Sequence, residues 1–139
     1  MQIIELTRKE EVLKTYPLLK QLYPELTAEQ YETYIDDLLP LSYRRIVVEE
    51  NGHYLASAGV LMGVHFKFGK YLYINDLVTD STHRSHGIGK MLVDWIEEEA
   101  KRLGCTGIKL SSNVNRHDAH RFYVTDGFFV HGYYFVKEL

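Results

Sequence analysis

The residues best suited to chemistry lie in a short basic stretch that contains two glycines, THRSHGIGK at positions 82–90. Gly87 and Gly89 open a run with helical periodicity, although glycine costs a helix about 1 kcal/mol relative to alanine. Because glycine has no Cβ, an anionic group can approach the N–H groups and the positive dipole end of such a helix closely. Arg84 and Lys90 flank the glycines and can add charge-assisted hydrogen bonds. The stretch therefore predicts a phosphate or pyrophosphate site.

Two common nucleotide-binding motifs do not fit this stretch. A P-loop requires Ser or Thr after its lysine, but Met91 follows Lys90. A dinucleotide-binding fingerprint requires a third glycine at position 92, which is Leu92. The remaining alternative is a tight turn whose glycines serve only the geometry of the chain.

The stretch is positioned by a predicted β-α-β unit. A strand is predicted over 71–79 and a helix over 87–103, whose apolar residues share one face. Gly104 ends this helix as a C′ glycine would, and a second strand is predicted over 106–112. The crossover between two such strands is nearly always right-handed, and the phosphate site is expected where the first strand gives way to the helix.

The other elements complete an α/β or α+β chain with the predicted order β-α-α-β-β-β-α-β-α-β. Capping-box patterns predict two of the helices, and an Asn-Gly pair predicts a hairpin. The first predicted features are a strand over 3–6 and a helix from the capping box at 7–10 to about Gln21, in which Pro17 can cause a kink or a break. A second helix is predicted from the capping box at 27–30 to near Pro40, followed by a hairpin at Asn51-Gly52. The last features are a helix from an N-cap at Asn115 to about Asp126, where Gly127 closes it, and a final strand in FFVHGYYFVKEL.

Length and composition predict one domain, 1–139, with a hydrophobic core. Of the 139 residues, 45% are hydrophobic, and the net charge of −3 argues against a nucleic-acid-binding protein, which usually carries a basic face. No apolar run approaches the roughly 20 residues of a membrane helix, and the N-terminus is too charged for a signal peptide. The lone Cys105 fits a reducing compartment. We therefore expect a cytoplasmic protein whose partners are neither nucleic acid nor membrane.

The motif Arg84-Ser85-His86-Gly87-Ile88-Gly89 resembles the R/Q-x-x-G-x-G/A motif of the GNAT N-acetyltransferase superfamily, which cradles the pyrophosphate of acetyl-CoA. The later segment NVNRHDAHRFYVTDGF resembles a second motif of that superfamily, represented here by Asn115, Ala119, Phe122 and Tyr123. The resemblance is strong over 71–139 and only topological over 1–70. It implies a GNAT-like mixed, mostly antiparallel twisted sheet of six to seven strands, flanked by about four helices.

The resemblance also implies acetyl-CoA as the co-substrate, held by the two motifs and by the main chain of the preceding strand. The implied binding residues are Leu77, Val78, Thr79, Arg84, His86, Gly87, Ile88, Gly89, Lys90 and Asn115. A backbone N–H of the strand would stabilise the oxyanion, a contribution of about 3 kcal/mol. Tyr123 occupies the position of the family's general acid, and a phenol is protonated at neutral pH and can donate a proton.

The general base is less clearly indicated. Some GNAT enzymes carry a glutamate on the strand that leads to the pyrophosphate motif, at the position where this sequence has Tyr73. Asp76 and His65 are the remaining catalytic candidates, with Glu49 behind them. A bound water is the alternative proton acceptor.

The acceptor class rests on a narrower resemblance. LSSNVNRHDAHRFY, the ending VKEL and His65 are similar to aminoalkylphosphonate N-acetyltransferases. A phosphonate-bearing amine needs cations at the mouth of the site, for which the available residues are Arg44, Arg45, Lys67 and Lys70. A polycationic amine would instead need acids, for which the available residues are Asp36, Asp37, Glu49 and Glu50. An ordinary solvated face is the alternative for both groups, so the sequence leaves the acceptor open.

Two histidines raise the question of a metal. His117 and His120 are spaced i, i+3 on a predicted helix and could share an ion, but the sequence shows no third ligand. We therefore predict no metal site. The resemblance to aminoalkylphosphonate enzymes, which respond to divalent metals, keeps a divalent metal as an open alternative.

Together these observations predict an acetyl-CoA-dependent N-acetyltransferase that moves an acetyl group directly to a primary amine of a small molecule, with an aminoalkylphosphonate as one candidate acceptor. The alternatives are a protein or peptide N-acetyltransferase and a non-catalytic acyl-CoA-binding sensor. GNAT proteins often pair through edge strands, so the resemblance also implies a homodimer, with FFVHGYYFV as the candidate segment.

Overall fold

The computed structural model describes residues 1–139, which form two compact units, 1–109 and 110–139. The helices and strands, in chain order, are β1 (Gln2–Leu6), α1 (Lys9–Leu13), α2 (Tyr16–Leu22), α3 (Ala28–Leu38), β2 (Arg44–Glu50), β3 (His53–His65), β4 (Gly69–Thr79), α4 (Ile88–Arg102), β5 (Gly107–Leu110) and α5 (His117–Thr125). None of these helices combines the length and the apolar character that crossing a membrane requires. The division into units does not test the single domain that the sequence predicts over 1–139, which stays a prediction.

The five strands form one sheet in the order β1-β2-β3-β4-β5. β1 to β4 are joined as antiparallel neighbours, and α4 connects β4 to β5 as a crossover, the connection that parallel neighbours require. This confirms the predicted β-α-β unit. Asn51 and Gly52 have φ values of 53° and 79° between β2 and β3, which confirms the predicted tight hairpin turn.

The expectation of six to seven strands is wrong, because the final strand predicted in FFVHGYYFVKEL does not form. Apolar, β-branched and aromatic residues make a segment able to pair, but a strand exists only where a neighbour accepts and donates its backbone hydrogen bonds. Seven large apolar side chains of this segment are at least 70% exposed, namely Phe129, Val130, Tyr133, Tyr134, Phe135, Val136 and Leu139.

The first predicted helix is two helices, which is why five are present instead of about four. α1 ends at Leu13 and α2 begins at Tyr16, with Pro17 in the first turn of α2, where its missing N–H costs no intrahelical bond. The capping box predicted at 7–10 is wrong, because Arg8 is the N-cap and no side chain caps α1. The capping box at 27–30 is confirmed by reciprocal hydrogen bonds of 3.0 and 3.1 Å.

Helices cover both faces of the sheet. α4 packs against β2, β3 and β4, and it buries the apolar face that its periodicity predicted. α1, α2 and α3 enclose a second apolar cluster, which consists of Leu6, Val12, Leu18, Leu19, Tyr31, Ile35, Tyr43, Val47 and Val78. Arg44 contacts the ring of Trp95 on α4, so Arg45, the next residue of β2, points to the opposite face.

Two helix ends confirm their predicted glycines. Gly104 has a φ of 76°, and the N–H groups of Gly104 and Cys105 donate to the last turn of α4 in a Schellman motif. Gly127, with a φ of 97°, closes α5 with the same pair of hydrogen bonds. The N-cap predicted at Asn115 is wrong: α5 begins two residues later, with Arg116 as its N-cap. Asn115 instead donates its N–H to the side chain of Asn113, at 3.3 Å, in a turn that precedes the helix.

Candidate active site

The loop before α4, residues 80–87, forms an open helix N-terminus. Ser85 and Gly87 both have left-handed backbones, with φ values of 68° and 75°, and Gly87 is the N-cap of α4. No side chain caps this helix, and a Cβ built on Gly87 would meet no atom within 4 Å. The first N–H groups of a helix have no intrahelical acceptor. An external anion such as a pyrophosphate therefore fits this position.

Hydrogen bonds hold the loop to the end of β4 and to α2. The Asp80 carboxylate accepts the N–H and the hydroxyl of Thr82, each at 3.0 Å, and the backbone bond is the main reason that the pKa of Asp80 is lowered. The N–H of Ser81 donates to Gln21 of α2 at 2.9 Å. Arg84 donates from Nε to the Thr79 carbonyl at 3.4 Å. The loop is therefore tied to the end of β4 and to α2.

The other predicted residues of this stretch divide by exposure. His86 is exposed beside Gly87, and Ile88 is buried, which anchors the first turn of α4 in the core. Gly89 is half-buried in that first turn. Lys90 forms an i, i+4 ion pair with Asp94, whose nearer oxygen is 2.8 Å from Nζ. The charge of Lys90 therefore lies along the solvent face of α4.

β4 contains a bulge shortly before it reaches the loop. Gly59 of β3 faces Asp76 and Val60 faces Ile74, so Asn75 is an extra residue with no counterpart on β3. Bulges bend a strand, and they frequently lie next to active sites, where they redirect the following residues. Leu77, which the sequence predicts as a binding residue, lies directly beyond this bulge.

The edge of β4 beyond the bulge is not covered by β5. The N–H of Thr106 donates to the Lys70 carbonyl at 2.8 Å, so β5 starts beside the beginning of β4, and its four residues do not extend to Thr79. Asp80 donates its N–H to Leu55 of β3. Because backbone groups alternate along a strand, Val78 points its N–H and C=O toward β3, whereas Leu77 and Thr79 point theirs toward the open edge. This edge can bind an extended, amide-containing chain.

Asp76 lies in a buried ion pair. Arg45 is 1% exposed and donates to both Asp76 oxygens, from Nη2 to Oδ2 at 3.1 Å and by a shorter bond from Nη1 to Oδ1. The same guanidinium donates to the Ser57 hydroxyl at 3.0 Å and to the Tyr43 hydroxyl. Burial, and after it the Asp76 charge, raises the pKa of Tyr43, so its hydroxyl stays protonated. The Asp76 carboxylate is therefore held by a cation and withdrawn from solvent.

Register explains how this pair forms. Arg45 of β2, Gly59 of β3 and Asp76 of β4 face one another across three adjacent strands and constitute a buried row. A side chain on the middle residue would separate the two charges. A Cβ built on Gly59 would lie 2.5 Å from the Tyr43 hydroxyl and 2.7 Å from Asp76 Oδ2.

His65 lies far from this row, and the structure does not bring it together with Asp76. It is exposed at the end of β3, opposite Gly69, six residues along the strand from Gly59. At about 3.3 Å per residue this separation is about 20 Å. Its Nδ1 accepts the N–H of Lys67 at 3.1 Å, and its ring lies 5.4 Å from that of Phe68.

The four cations predicted for a phosphonate do not converge. Arg45 belongs to the buried row, and Arg44 binds the Glu5 carboxylate at 2.7 and 2.9 Å and also Glu99. Hydrogen bonds from Arg102 and then from Arg44 lower the pKa of Glu99 to about 2. The two remaining cations, Lys67 and Lys70, lie at the turn of the β3–β4 hairpin, at the end of these strands away from Arg45. There Lys70 donates to the Leu103 carbonyl at 3.2 Å, and Lys67 lies near the ring of Phe68.

The second unit holds the residues of the second motif. Tyr123 packs between Phe122 and Phe128, with ring centroids 5.5 and 5.7 Å away, and burial raises the pKa of its phenol. The group therefore remains a proton donor well above neutral pH. Asn115 is exposed and lines an open hollow of about 410 Å³ together with the residues up to Ala119.

The two histidines of α5 do not complete a metal site with acidic or sulfur ligands. The rings of His117 and His120 lie edge to face, with centroids 6.2 Å apart. No group of three or more His, Cys, Asp or Glu side chains in residues 1–139 is arranged to hold a metal ion.

The sequence reasoning missed the buried row and the bulge at Asn75. One signal was present, because two consecutive arginines in the strand YRRIVVEE cannot both face solvent when the strand is covered on both faces. A buried arginine requires a carboxylate partner. The identity of that partner, Asp76, depends on strand register, which the sequence alone does not specify.

Comparison with known proteins gives the family. The acetyltransferase (GNAT) family model matches residues 9–128. The uncharacterized N-acetyltransferase YhdJ of Bacillus subtilis is 38% identical over 135 residues, which are 96% of this chain and 95% of that protein. The aminoalkylphosphonate N-acetyltransferase of Salmonella typhimurium is 34% identical over 90 residues, 64% of this chain and 58% of that protein.

A solved structure agrees in fold. The aminoglycoside N-acetyltransferase AAC(6')-Iy, in complex with CoA, matches with a TM-score of 0.86 at 12% identity, over 99% of this chain and 93% of that one. At this identity the likeness concerns the fold alone. Because the family model spans most of the chain and YhdJ is similar along almost its whole length, the chain belongs to the acetyltransferase (GNAT) family, as its two sequence motifs predicted.

Proposed function

We propose that this protein transfers an acetyl group from acetyl-CoA directly to a primary amine of a small molecule. The proposal rests on two features that follow one another along the chain within the first unit. A bulged strand with an open edge is followed by an uncapped helix N-terminus that is preceded by two left-handed residues. An extended amide chain that ends in a pyrophosphate has the chemistry for which these two features are suited.

Binding is divided between backbone and side chains. The N–H groups of residues 86–90 bind the pyrophosphate, and Arg84 adds positive charge beside it. Lys90 adds its charge there by leaving its ion pair with Asp94. The Leu77 carbonyl and the Thr79 N–H bind the pantetheine arm at the open edge. Val78 positions these two residues through its backbone hydrogen bonds to β3. Asn115 binds the same arm from the second motif.

In the transfer step the amine nitrogen bonds to the thioester carbonyl carbon. The N–H of Leu77 donates to the oxyanion that develops on the carbonyl oxygen. When the C–S bond breaks, Tyr123 donates its phenolic proton to the departing thiolate, a role that its raised pKa supports at neutral pH.

The proton of the attacking amine passes to water in this proposal. Asp76 and His65 are the first two side chains that the sequence suggests as bases, with Glu49 behind them. The Asp76 carboxylate is already bound by Arg45 on both oxygens, and His65 lies about 20 Å along the sheet from the bulge. Neither position suits direct proton transfer at a thioester bound next to Leu77.

The acceptor is proposed as a small amine, with aminoalkylphosphonates as the first class to test. The similarity to an aminoalkylphosphonate N-acetyltransferase supports this class. The ion pairs of Arg44 and Arg45 do not support it, because they leave only Lys67 and Lys70 of the four suggested cations for a phosphonate.

The experiment is the release of CoA thiol from acetyl-CoA across a panel of amines, with and without a divalent metal. The panel contains aminoalkylphosphonates, polyamines, aminoglycosides and short peptides. Turnover confined to phosphonates would support the narrow class, and turnover with another small amine would discard it but keep the activity. Turnover of peptides only would favour a protein acetyltransferase. Tight acetyl-CoA binding without any turnover would replace the enzyme with a sensor.

A homodimer that pairs through 128–136 is proposed as the functional assembly. Seven large apolar side chains of residues 129–139 are exposed, more than an isolated surface usually presents in so short a segment. Size-exclusion chromatography with light scattering should give twice the chain mass. A monomer at micromolar concentration would contradict the proposed dimer without affecting the proposed activity.

A further inference from the structure

The buried row is a costly feature that the proposed chemistry does not use directly. Arg45 and Asp76 are 1% and 7% exposed, and burying two charges costs several kcal/mol per ion before their attraction is counted. Apolar residues of similar volume often stabilise a core as well as such a pair or better. The row therefore has no evident advantage for stability alone.

The position of the row is specific. Asp76 is the residue that follows the extra residue Asn75, so the ion pair grips β4 immediately after its bulge. The next residue is Leu77, whose backbone points to the open edge. The ion pair connects β4 to two other strands, because Arg45 lies on β2 and its guanidinium also donates to the Ser57 hydroxyl of β3.

We propose that the Arg45–Asp76 ion pair is a positioning device, which fixes the bulge at Asn75 and so aims the backbone N–H of Leu77 at the acetyl-CoA thioester. This inference rests on the proposed function. Asp76 acts on the reaction through Leu77 and takes no proton from the amine.

The glycine of the row belongs to the same device. Gly59 has no side chain, so the guanidinium of Arg45 passes over β3 and reaches a carboxylate two strands away. Tyr43 belongs to the same arrangement, because its hydroxyl accepts a hydrogen bond from Arg45. Any side chain at Gly59 would push this hydroxyl and the Asp76 carboxylate apart, while every charged group would still be present.

The deciding variant is therefore Gly59→Ala, and Gly63→Ala is its matched control. Both glycines lie on the same face of β3, and a Cβ on either would come within 2.5 Å of a tyrosine side chain. At Gly63 the ring displaced is that of Tyr71, which takes no part in the row. The two variants thus impose similar crowding, but only one of them disturbs the ion pair.

The measurements are acetyl-CoA affinity by calorimetry without acceptor, then kcat and KM, with folding checked by circular dichroism. Gly59→Ala should lower kcat/KM by about tenfold to a hundredfold, since a displacement of about 1 Å at a reacting centre has effects of this order. Gly63→Ala should change it less than about threefold. Equal losses in the two folded variants, or a wild-type kcat/KM in Gly59→Ala, would overturn the inference.

A second variant covers the case in which Gly59→Ala does not fold. Arg45→Met combined with Asp76→Leu removes both charges, leaves neither one unpaired, and should keep the fold. Its kcat/KM should fall by a similar factor while the pH profile of kcat keeps the wild-type shape, which the loss of a base would not allow. Wild-type kinetics in the double variant would overturn the inference. A wild-type protein that fails to bind acetyl-CoA would overturn the proposed function itself, and this inference with it.

Discussion

The loop of residues 80–87 and the buried row of Arg45, Gly59 and Asp76 are both built around charge, but they satisfy it in opposite ways. The loop presents backbone N–H groups to solvent and has no side chain in front of them. In the row, side chains satisfy both charges inside the core. An uncapped helix N-terminus is suited to an external anion. In the row, by contrast, each charge already has its counter-charge, although Nε of Arg45 has no hydrogen-bond partner.

The largest effect on acetyl-CoA binding is expected when the loop acquires its own anion. Gly87→Asp places a carboxylate among the N–H groups of the first turn of α4 and should weaken acetyl-CoA binding by at least about a hundredfold, or about 2.8 kcal/mol. Calorimetric titration measures the affinity.

Gly52→Asp is the control for that variant. Gly52 has nearly the same backbone, with a φ of 79° against 75°, and a Cβ there also meets no atom within 4 Å. The two variants share any backbone strain, so only the location of the new charge differs. Equal affinities for acetyl-CoA in both variants would remove the loop from the binding site.

A side chain that does chemistry should behave differently from a backbone site that binds. Tyr123→Phe keeps the ring between Phe122 and Phe128 but lacks the proton, so kcat should fall by about a hundredfold while acetyl-CoA affinity stays within about twofold. Steady-state kinetics together with calorimetry measure both quantities, and Tyr34→Phe on α3 serves as the control. Unchanged kcat in Tyr123→Phe would remove Tyr123 from the mechanism.

Removing one of the two charges of the buried row should lower the stability of the protein more than removing both charges. Asp76→Asn leaves the charge of Arg45 buried without a counter-ion and should lower the free energy of unfolding by about 3–5 kcal/mol. The double variant Arg45→Met with Asp76→Leu should lower it by less than about 1 kcal/mol. Urea denaturation measures both, and a double variant as unstable as the single one would show that the ion pair itself stabilises the fold.

The smallest effect concerns the half-buried ion pairs on the opposite face of β2. The pKa of Glu99 in the folded protein is about 2, below its ordinary value, chiefly because Arg102 and then Arg44 bind the carboxylate. The unfolded chain therefore binds more protons in this range, and the stability from Glu99 is present above about pH 4.5 and lost as the pH falls toward 2.

Glu99→Gln should remove that loss, which we expect to be about 1 kcal/mol because solvent screens the exposed Arg102 partner. Thermal unfolding between pH 2 and pH 6 measures it. Glu98→Gln, whose side chain is 75% exposed, is the control and should retain the wild-type pH dependence. Identical pH profiles in the wild type and Glu99→Gln would contradict the assignment.

Local patterns predicted local structure well. The capping box at 27–30, the Asn51-Gly52 turn and the glycines that close α4 and α5 are all confirmed, because each involves hydrogen bonds within a few residues of the pattern. Two other local patterns failed. Arg8 is the N-cap of α1 in place of Thr7, although no side chain caps that helix, and Asn113 holds the turn in which Asn115 lies.

Long-range pairing could not be predicted in the same way. Whether 128–139 forms a strand depends on a neighbour to pair with, and that information is not contained in the segment. The loop and the second motif could be identified as candidate binding residues, because an exposed anion site depends on residue types in a short stretch. The uses of Asp76 and of the two arginines could not be predicted, because their partners come from distant strands.

The sequence by itself therefore determined the family, the β-α-β unit and the place of the loop that is proposed to bind an anion. Tertiary structure alone decided that β4 bulges at Asn75, that its edge stays open beyond β5, and that Arg45 meets Asp76 across Gly59. The physical reason is the range of the interactions: helix caps and tight turns are closed by neighbours in sequence. A cross-strand row exists only after three strands have taken one register.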